Sequence, residues 1–219
     1  MIIARIPSNR RFDACHNPRV PETQPAKRPI ALAVFLIVAG IIGWYAAFIL
    51  TVEKFRTLTN PEEALSCDFS VLVQCGKNLE SWQGSLFGFP NPIIGLAAWI
   101  APVVVGVALL SGARFARWFW ALFALGTVAA LAFVIWLIGQ SIFVLGTLCP
   151  WCMVTWSVTI PLFWAVTLYT LKTGAVPLPG RGRRVAEALY GWLPAITVGS
   201  YLVVAVIAQL QLDVIGNLL

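Results

Sequence analysis

The stretch CPWCMVTWSVTIPLFWAVTLYTL, residues 149 to 171, holds no charged side chain in twenty-three positions. About 20 mostly apolar residues are enough for an α-helix to cross about 30 Å of hydrocarbon. The stretch therefore reads as a transmembrane helix that opens on a cysteine pair. Four more stretches read the same way, at about 30–52, 92–110, 118–138 and 190–212. None shows the period-2 alternation of barrel strands, so all five are expected to be helices. The fold class that follows is an all-α membrane protein, a four-helix transmembrane bundle with a fifth transmembrane helix.

Composition leads to the same class. Of 219 residues, 59% are hydrophobic and 11% charged, whereas a soluble domain is about a quarter charged. The first 29 residues are polar and proline-rich, and the first apolar run is too long for a signal-peptide core, so no cleavable signal is expected. The arm 1–29 reads as a loosely held tail, with Pro18, Pro21, Pro25 and Pro29. The bundle proper is expected over 30–171, with an outer loop at 53–91. A basic linker follows at 172–188, and a fifth helix with a short outer C-terminus at 189–219.

The basic residues orient the chain. Arg5, Arg10, Arg11, Arg19, Lys27, Arg28, Arg114, Arg117, Lys172, Arg181, Arg183 and Arg184 fall on one side of the five spans. Lys54, Arg56 and Lys77 fall on the other. Twelve against three places the N-terminus in the cytoplasm and the C-terminus outside. The net charge of +6 is thus a topology signal beside the lipid bilayer and calls for no nucleic acid.

Orientation sorts the five cysteines. Cys15 lies in the cytoplasmic tail, where thiols stay reduced, and reads as incidental. Cys67 and Cys75 fall in the outer loop, and Cys149 and Cys152 at the outer end of the fourth span, on the oxidising side. Pro150 suits a first helical turn. That puts Cys149 near the N-cap, facing free N–H groups and the positive end of the helix dipole, both of which favour a thiolate. Cys152 lies one turn deeper, within disulfide reach. Closing so short a loop stabilises a fold little, which favours a redox pair over a staple. A zinc site is disfavoured because the only histidine, His16, is on the other side. Cys67 and Cys75 are eight apart, about 12 Å in a straight helix, against the roughly 4.4–6.8 Å a disulfide needs. Either the segment bends or unwinds, or each cysteine pairs elsewhere. A mobile shuttle, with Cys75 able to reach Cys149, suits that spacing.

The rest of the outer loop alternates Glu62, Glu63, Asp68, Lys77 and Glu80 with apolar residues. It reads as an interfacial segment or as a lid over a cavity, with 87–92 as its edge. Ser81 and Asn91 either cap helices or donate to a bound carbonyl. No span carries an ionisable residue in its middle, which argues against a transport path.

Taken in order, C-x₇-C, the serine six residues on, NPIIG at 91–95 and C-P-W-C at 149–152 resemble the vitamin K epoxide reductase family, in its bacterial branch. The resemblance covers about 30–171. It implies a four-helix bundle around a quinone of menaquinone or ubiquinone type, drawn from the membrane pool, with the outer loop as cap. It further implies a secreted thioredoxin-like, DsbA-like partner. Cys67 would exchange with that partner, Cys75 would carry the bond to Cys149, and Cys152 would face the quinone. Ser81 and Asn91 would polarise the quinone side, and Trp156 stands where the animal enzymes have tyrosine. No thioredoxin domain follows the fifth span here, so the partner is expected to be a separate protein. The other quinone-linked disulfide-generating family, of DsbB type, has its cysteine pairs in the reverse order. The remaining alternative is a non-enzymatic membrane protein with structural disulfides.

Overall fold

The computed structural model describes residues 29–60, 64–177 and 179–218. The arm with Cys15 and His16, and the loop residues Glu62 and Glu63, lie outside them. The described chain forms α1 (Ile30–Thr59), α2 (Gly76–Glu80), a 3₁₀ turn (Trp82–Ser85), α3 (Asn91–Ala98) and α4 (Ile100–Leu110). Then follow α5 (Arg117–Gly139), a π-helical turn (Gln140–Leu145), α6 (Pro150–Lys172), α7 (Gly180–Gly191), α8 (Leu193–Leu212) and α9 (Val214–Leu218). Five helical stretches are long and apolar enough to cross a membrane: Ile30–Thr59, Asn91–Leu110, Arg117–Leu145, Pro150–Lys172 and Leu193–Leu212. The protein is an all-α multi-pass membrane protein.

The limits of the spans differ from expectation at three places. α1 runs on to Thr59 and takes Glu53, Lys54 and Arg56 into the helix. The second span breaks at Trp99 between α3 and α4. Pro102 explains this, because it has no N–H for the Ala98 carbonyl and its ring crowds that oxygen. The fifth span begins at Leu193, with a proline in its first turn, and the separate helix α7 occupies much of the expected linker.

α1 is the central helix, packed against α3, α4 and α6, while α5, α7 and α8 pack on α6. The α1–α4 crossing is close because the side chains there are small. A Cβ on Gly43 would lie 2.3 Å from the Trp99 ring, and one on Gly106 would lie 2.6 Å from the Ala33 carbonyl oxygen. At the end where α1 begins, Leu36, Leu109, Trp120, Leu162 and Val166 form one buried apolar cluster. Stacked Phe115 and Phe119 pack against it.

Inside α6, Pro161 removes the donor that would satisfy the Ser157 carbonyl. Hydrocarbon offers no substitute. The Tyr201 hydroxyl of α8 donates to that oxygen instead, and Trp164 of α6 donates to Ser200 of α8 at 3.2 Å. The fifth span is thus fastened to the fourth at the point where the fourth is weakened.

Candidate redox site

Cys67, Cys75, Cys149 and Cys152 gather at the end where α6 begins. Cys67 and Cys75 form a disulfide with their Cα atoms 5.7 Å apart. The intervening chain bends as the eight-residue spacing demands. The N–H groups of Phe69 and Ser70 both donate to the Val73 carbonyl, at 2.9 and 3.0 Å. The Asp68 carboxylate, next to Cys67, accepts from the N–H of Cys75 at 2.7 Å and of Gly76 at 3.1 Å. One side chain therefore clamps both ends of the disulfide loop.

A parallel β-bridge between Val73 and Leu148 holds this loop against the approach to α6. Leu148 N–H donates to Leu72 O at 2.7 Å, and Gln74 N–H to Leu148 O at 3.1 Å. Asn78 continues the seam. Its Nδ2 donates to Thr147 Oγ1 at 2.9 Å, and its Oδ1 accepts from Ser141 Oγ at 3.2 Å. Glu53, at 2% exposure, accepts from the Ser66 hydroxyl and pairs with Arg56 at 3.4 Å. Lys54 donates to Leu79 O at 2.6 Å.

These contacts bring Cys75 and Cys149 together. Cys149 Sγ lies 3.5 Å from Cys75 Sγ. Cys149 is the N-cap of α6, in extended backbone conformation, and its sulfur accepts from Cys152 N–H at 3.3 Å. Both α6 cysteines are free thiols. Cys67, Cys75 and Cys149 have 1%, 0% and 0% exposure, and Cys152 is half-buried. A thiolate at Cys149 is placed to attack the Cys75 sulfur and release Cys67, or to undergo the reverse exchange.

Beneath the cysteines lies a cavity of about 440 Å³. Cys152 and Trp156 are in its wall on α6, one turn apart, and Ser81, Gln83 and Asn91 are in its roof. Aromatic contacts hold the roof to α5, with Trp82 to Trp136 at 6.0 Å and Phe87 to Phe133 at 5.9 Å. Ser81 and Asn91 line the cavity and also brace the roof. The Ser81 hydroxyl donates to Asn78 O at 2.8 Å and accepts from Gly84 N–H at 3.3 Å. Asn91 accepts from Leu86 N–H at 3.1 Å and donates to Gln83 O at 2.6 Å. Among the described residues no group of three or more His, Cys, Asp or Glu is gathered to hold a metal.

Asp68, Asn78, Thr147, Gln83 and Gln140 are parts of the site that the sequence reading did not single out. An aspartate directly after a loop cysteine was the one signal at hand. The others act through contacts across 57 to 69 residues, which no periodicity reports.

No curated protein matches the chain. The sequence model of the vitamin K epoxide reductase family matches residues 34–167, a segment that contains all four site cysteines, the roof and the cavity walls. With more than half its length matched, the chain belongs to the vitamin K epoxide reductase family, and is by that membership a membrane thiol–disulfide oxidoreductase.

Proposed function

We propose that the protein oxidises a separate thioredoxin-like thiol oxidase on the outer face of the cell membrane and passes the electrons to membrane quinone. The observation that carries this reading is the Cys149 thiol 3.5 Å from the Cys67–Cys75 disulfide, with Cys152 in the wall of a membrane-depth cavity. The charge asymmetry supports an outer location for the cysteines.

The chemistry follows from thiol exchange. A thiolate of the reduced partner attacks Cys67 and frees the Cys75 thiolate. The partner's second thiol resolves the mixed disulfide, leaving the partner oxidised and Cys67 reduced. Cys75 then attacks Cys149 of a Cys149–Cys152 disulfide, and Cys152 leaves as thiolate. Cys67 attacks Cys75, which restores the Cys67–Cys75 disulfide and releases Cys149. The state described above, one loop disulfide and two α6 thiols, is the product of that last step.

The α6 dithiol must then lose two electrons and two protons. The cavity fits a quinone: mostly apolar walls suit a flat ring and an isoprenoid chain, and Cys152 lines one side. Bound there, a quinone supplies a two-electron acceptor. Cys152 and, one turn deeper, Trp156 would line its α6 side, and the roof would exclude water from the exchange. Because Cys67 is buried, the partner gains access only when the 64–75 segment lifts from its seam.

The test uses membranes carrying the protein, a reduced thioredoxin-like partner and a quinone, with quinol formation as readout. Cys152→Ala is expected to stop it. Full activity in that variant would overturn the electron path.

A further inference from the structure

Most polar side chains around the cavity spend their hydrogen bonds on the protein. Thr127, Thr155 and Thr159 donate to carbonyls of their own helices, at 2.8, 2.7 and 2.7 Å. Ser81 and Asn91 brace the roof, and Asn78 joins Thr147 and Ser141. Gln83 differs. It is 3% exposed, its Nε2 donates to Gln140 Oε1 at 3.2 Å, and its own Oε1 is buried with no partner among the described residues. A buried amide oxygen without a donor carries a desolvation penalty that a ligand's donor would remove.

Both glutamines line the cavity. Gln83 comes from the 3₁₀ turn of the roof, and Gln140 is the first residue of the π turn after α5. A π turn inserts a residue and re-aims the side chains around it. Here it brings an amide from mid-chain against one from the outer loop.

We propose that the Gln83–Gln140 amide pair contacts an oxygen of the bound quinone head group and serves both of its redox states. This rests on the quinone reading above. A quinone carbonyl only accepts hydrogen bonds, whereas a quinol hydroxyl also donates. A primary amide offers an acceptor on one side and donors on the other, exchanged by a half-turn of its last torsion. In the orientation present, the spare group is the Gln83 oxygen, which suits a quinol hydroxyl. With both amides turned, Gln140 Nε2 donates to Gln83 Oε1, and Gln83 Nε2 becomes the spare group, which suits a quinone carbonyl. The pair keeps its mutual hydrogen bond in both arrangements, and neither amide changes charge. An ionised carboxylate at the same place offers acceptors only.

The test is equilibrium binding to the purified full-length protein in detergent, with a short-chain ubiquinone and its quinol as probes. Tryptophan quenching reports the quinone, since Trp99 and Trp156 line the cavity, and competition reports the quinol. Gln83→Met and Gln140→Met preserve length and remove the amide. Each is expected to raise Kd for both redox forms about tenfold, the loss of one ordinary hydrogen bond. The double variant is expected to be no weaker than either single one, because the two amides act as a unit. Alkylation of the free thiols should remain as in the wild type. Kd values within twofold of wild type for both forms would overturn the proposal. If the wild type itself takes up neither probe, the quinone reading falls, and this inference with it. If the wild type binds and the variants bind equally, this inference alone falls. Should Gln83→Met fail to fold, Gln140→Met, at a less buried position, decides.

Discussion

The two ends of the bundle are built on different principles. Where α1 begins, the interior is Leu36, Leu109, Trp120, Leu162 and Val166, held by close helix crossings over glycine. Where α6 begins, the interior holds three fully buried sulfurs with Glu53, Gln83, Ser141 and Thr147, and the nearby chain includes a π turn and a β-bridge. The first end gains stability from uninterrupted packing. The second keeps buried polar groups and irregular backbone around the disulfide and the two free thiols. The lesson is that stability and chemistry are segregated along the membrane normal, so each can be damaged without the other.

The largest effect expected at the chemical end is that of Cys149→Ala. It removes the sulfur that lies 3.5 Å from Cys75 of the loop disulfide. Partner-driven quinol formation should fall at least about a thousandfold, because members of a catalytic unit do not substitute for one another. Thermal stability should drop by no more than about 1 kcal/mol, the loss of one N-cap contact. Substantial turnover in this variant would mean that electrons leave the loop by another route.

Gly43→Val is the counterpart at the packed end. Its Cβ would overlap the Trp99 ring, and overpacking of this kind costs about 1–3 kcal/mol. The thermal midpoint should fall, while the alkylation pattern of the cysteines in the folded fraction stays unchanged. A variant that kept its midpoint but lost its thiol chemistry would erase the contrast between the two ends.

The packed end was far more legible in the sequence than the chemical one. Spans of about 20 apolar residues need no tertiary information, whereas the loop cysteines eight apart left open a bend between them or separate partners. Cys149 as N-cap followed from Pro150 beside it. What stayed hidden is one local feature and several made by contacts between distant segments. The break at Trp99 needs Pro102 to be read against Ala98, within a run that hydropathy alone continues. The Gln83–Gln140 pair and the Asn78–Thr147 bond join segments more than fifty residues apart. Ser81 and Asn91 stood equally as caps or as ligand donors, and the structure shows the bracing role directly, while their place in the cavity wall leaves the second role for binding measurements.

Asp68→Ala probes the seam between stability and chemistry with a smaller effect. The carboxylate clamps the N–H groups of Cys75 and Gly76 but is itself exposed, which screens it. Loss of about 1 kcal/mol of ordering, within the usual range for such bonds, should slow exchange between Cys75 and Cys149 about fivefold, followed by quenched alkylation in a single turnover. Asp68→Asn keeps an acceptor oxygen and should recover most of the rate. If alanine and asparagine behave alike, the loop is held by the β-bridge alone.

The smallest expected effect belongs to the boundary between the two ends. Tyr201 of α8 satisfies the Ser157 carbonyl that Pro161 leaves free in α6. Tyr201→Phe removes the donor and keeps the ring, and side-chain hydrogen bonds between membrane helices average about 0.6 kcal/mol. The thermal midpoint should shift by a degree or two, with partner oxidation unaltered. The informative comparison is the same change made in Pro161→Ala. There the helix regains its own N–H donor, so the Ser157 carbonyl no longer depends on α8, and Tyr201→Phe should become nearly neutral. A non-additive cycle of this sign assigns the hydroxyl to repairing the proline break. An additive one would mean that the fifth helix is held by its apolar contacts and by Trp164 with Ser200, and that the tyrosine contributes nothing specific to the helix carrying the cysteines.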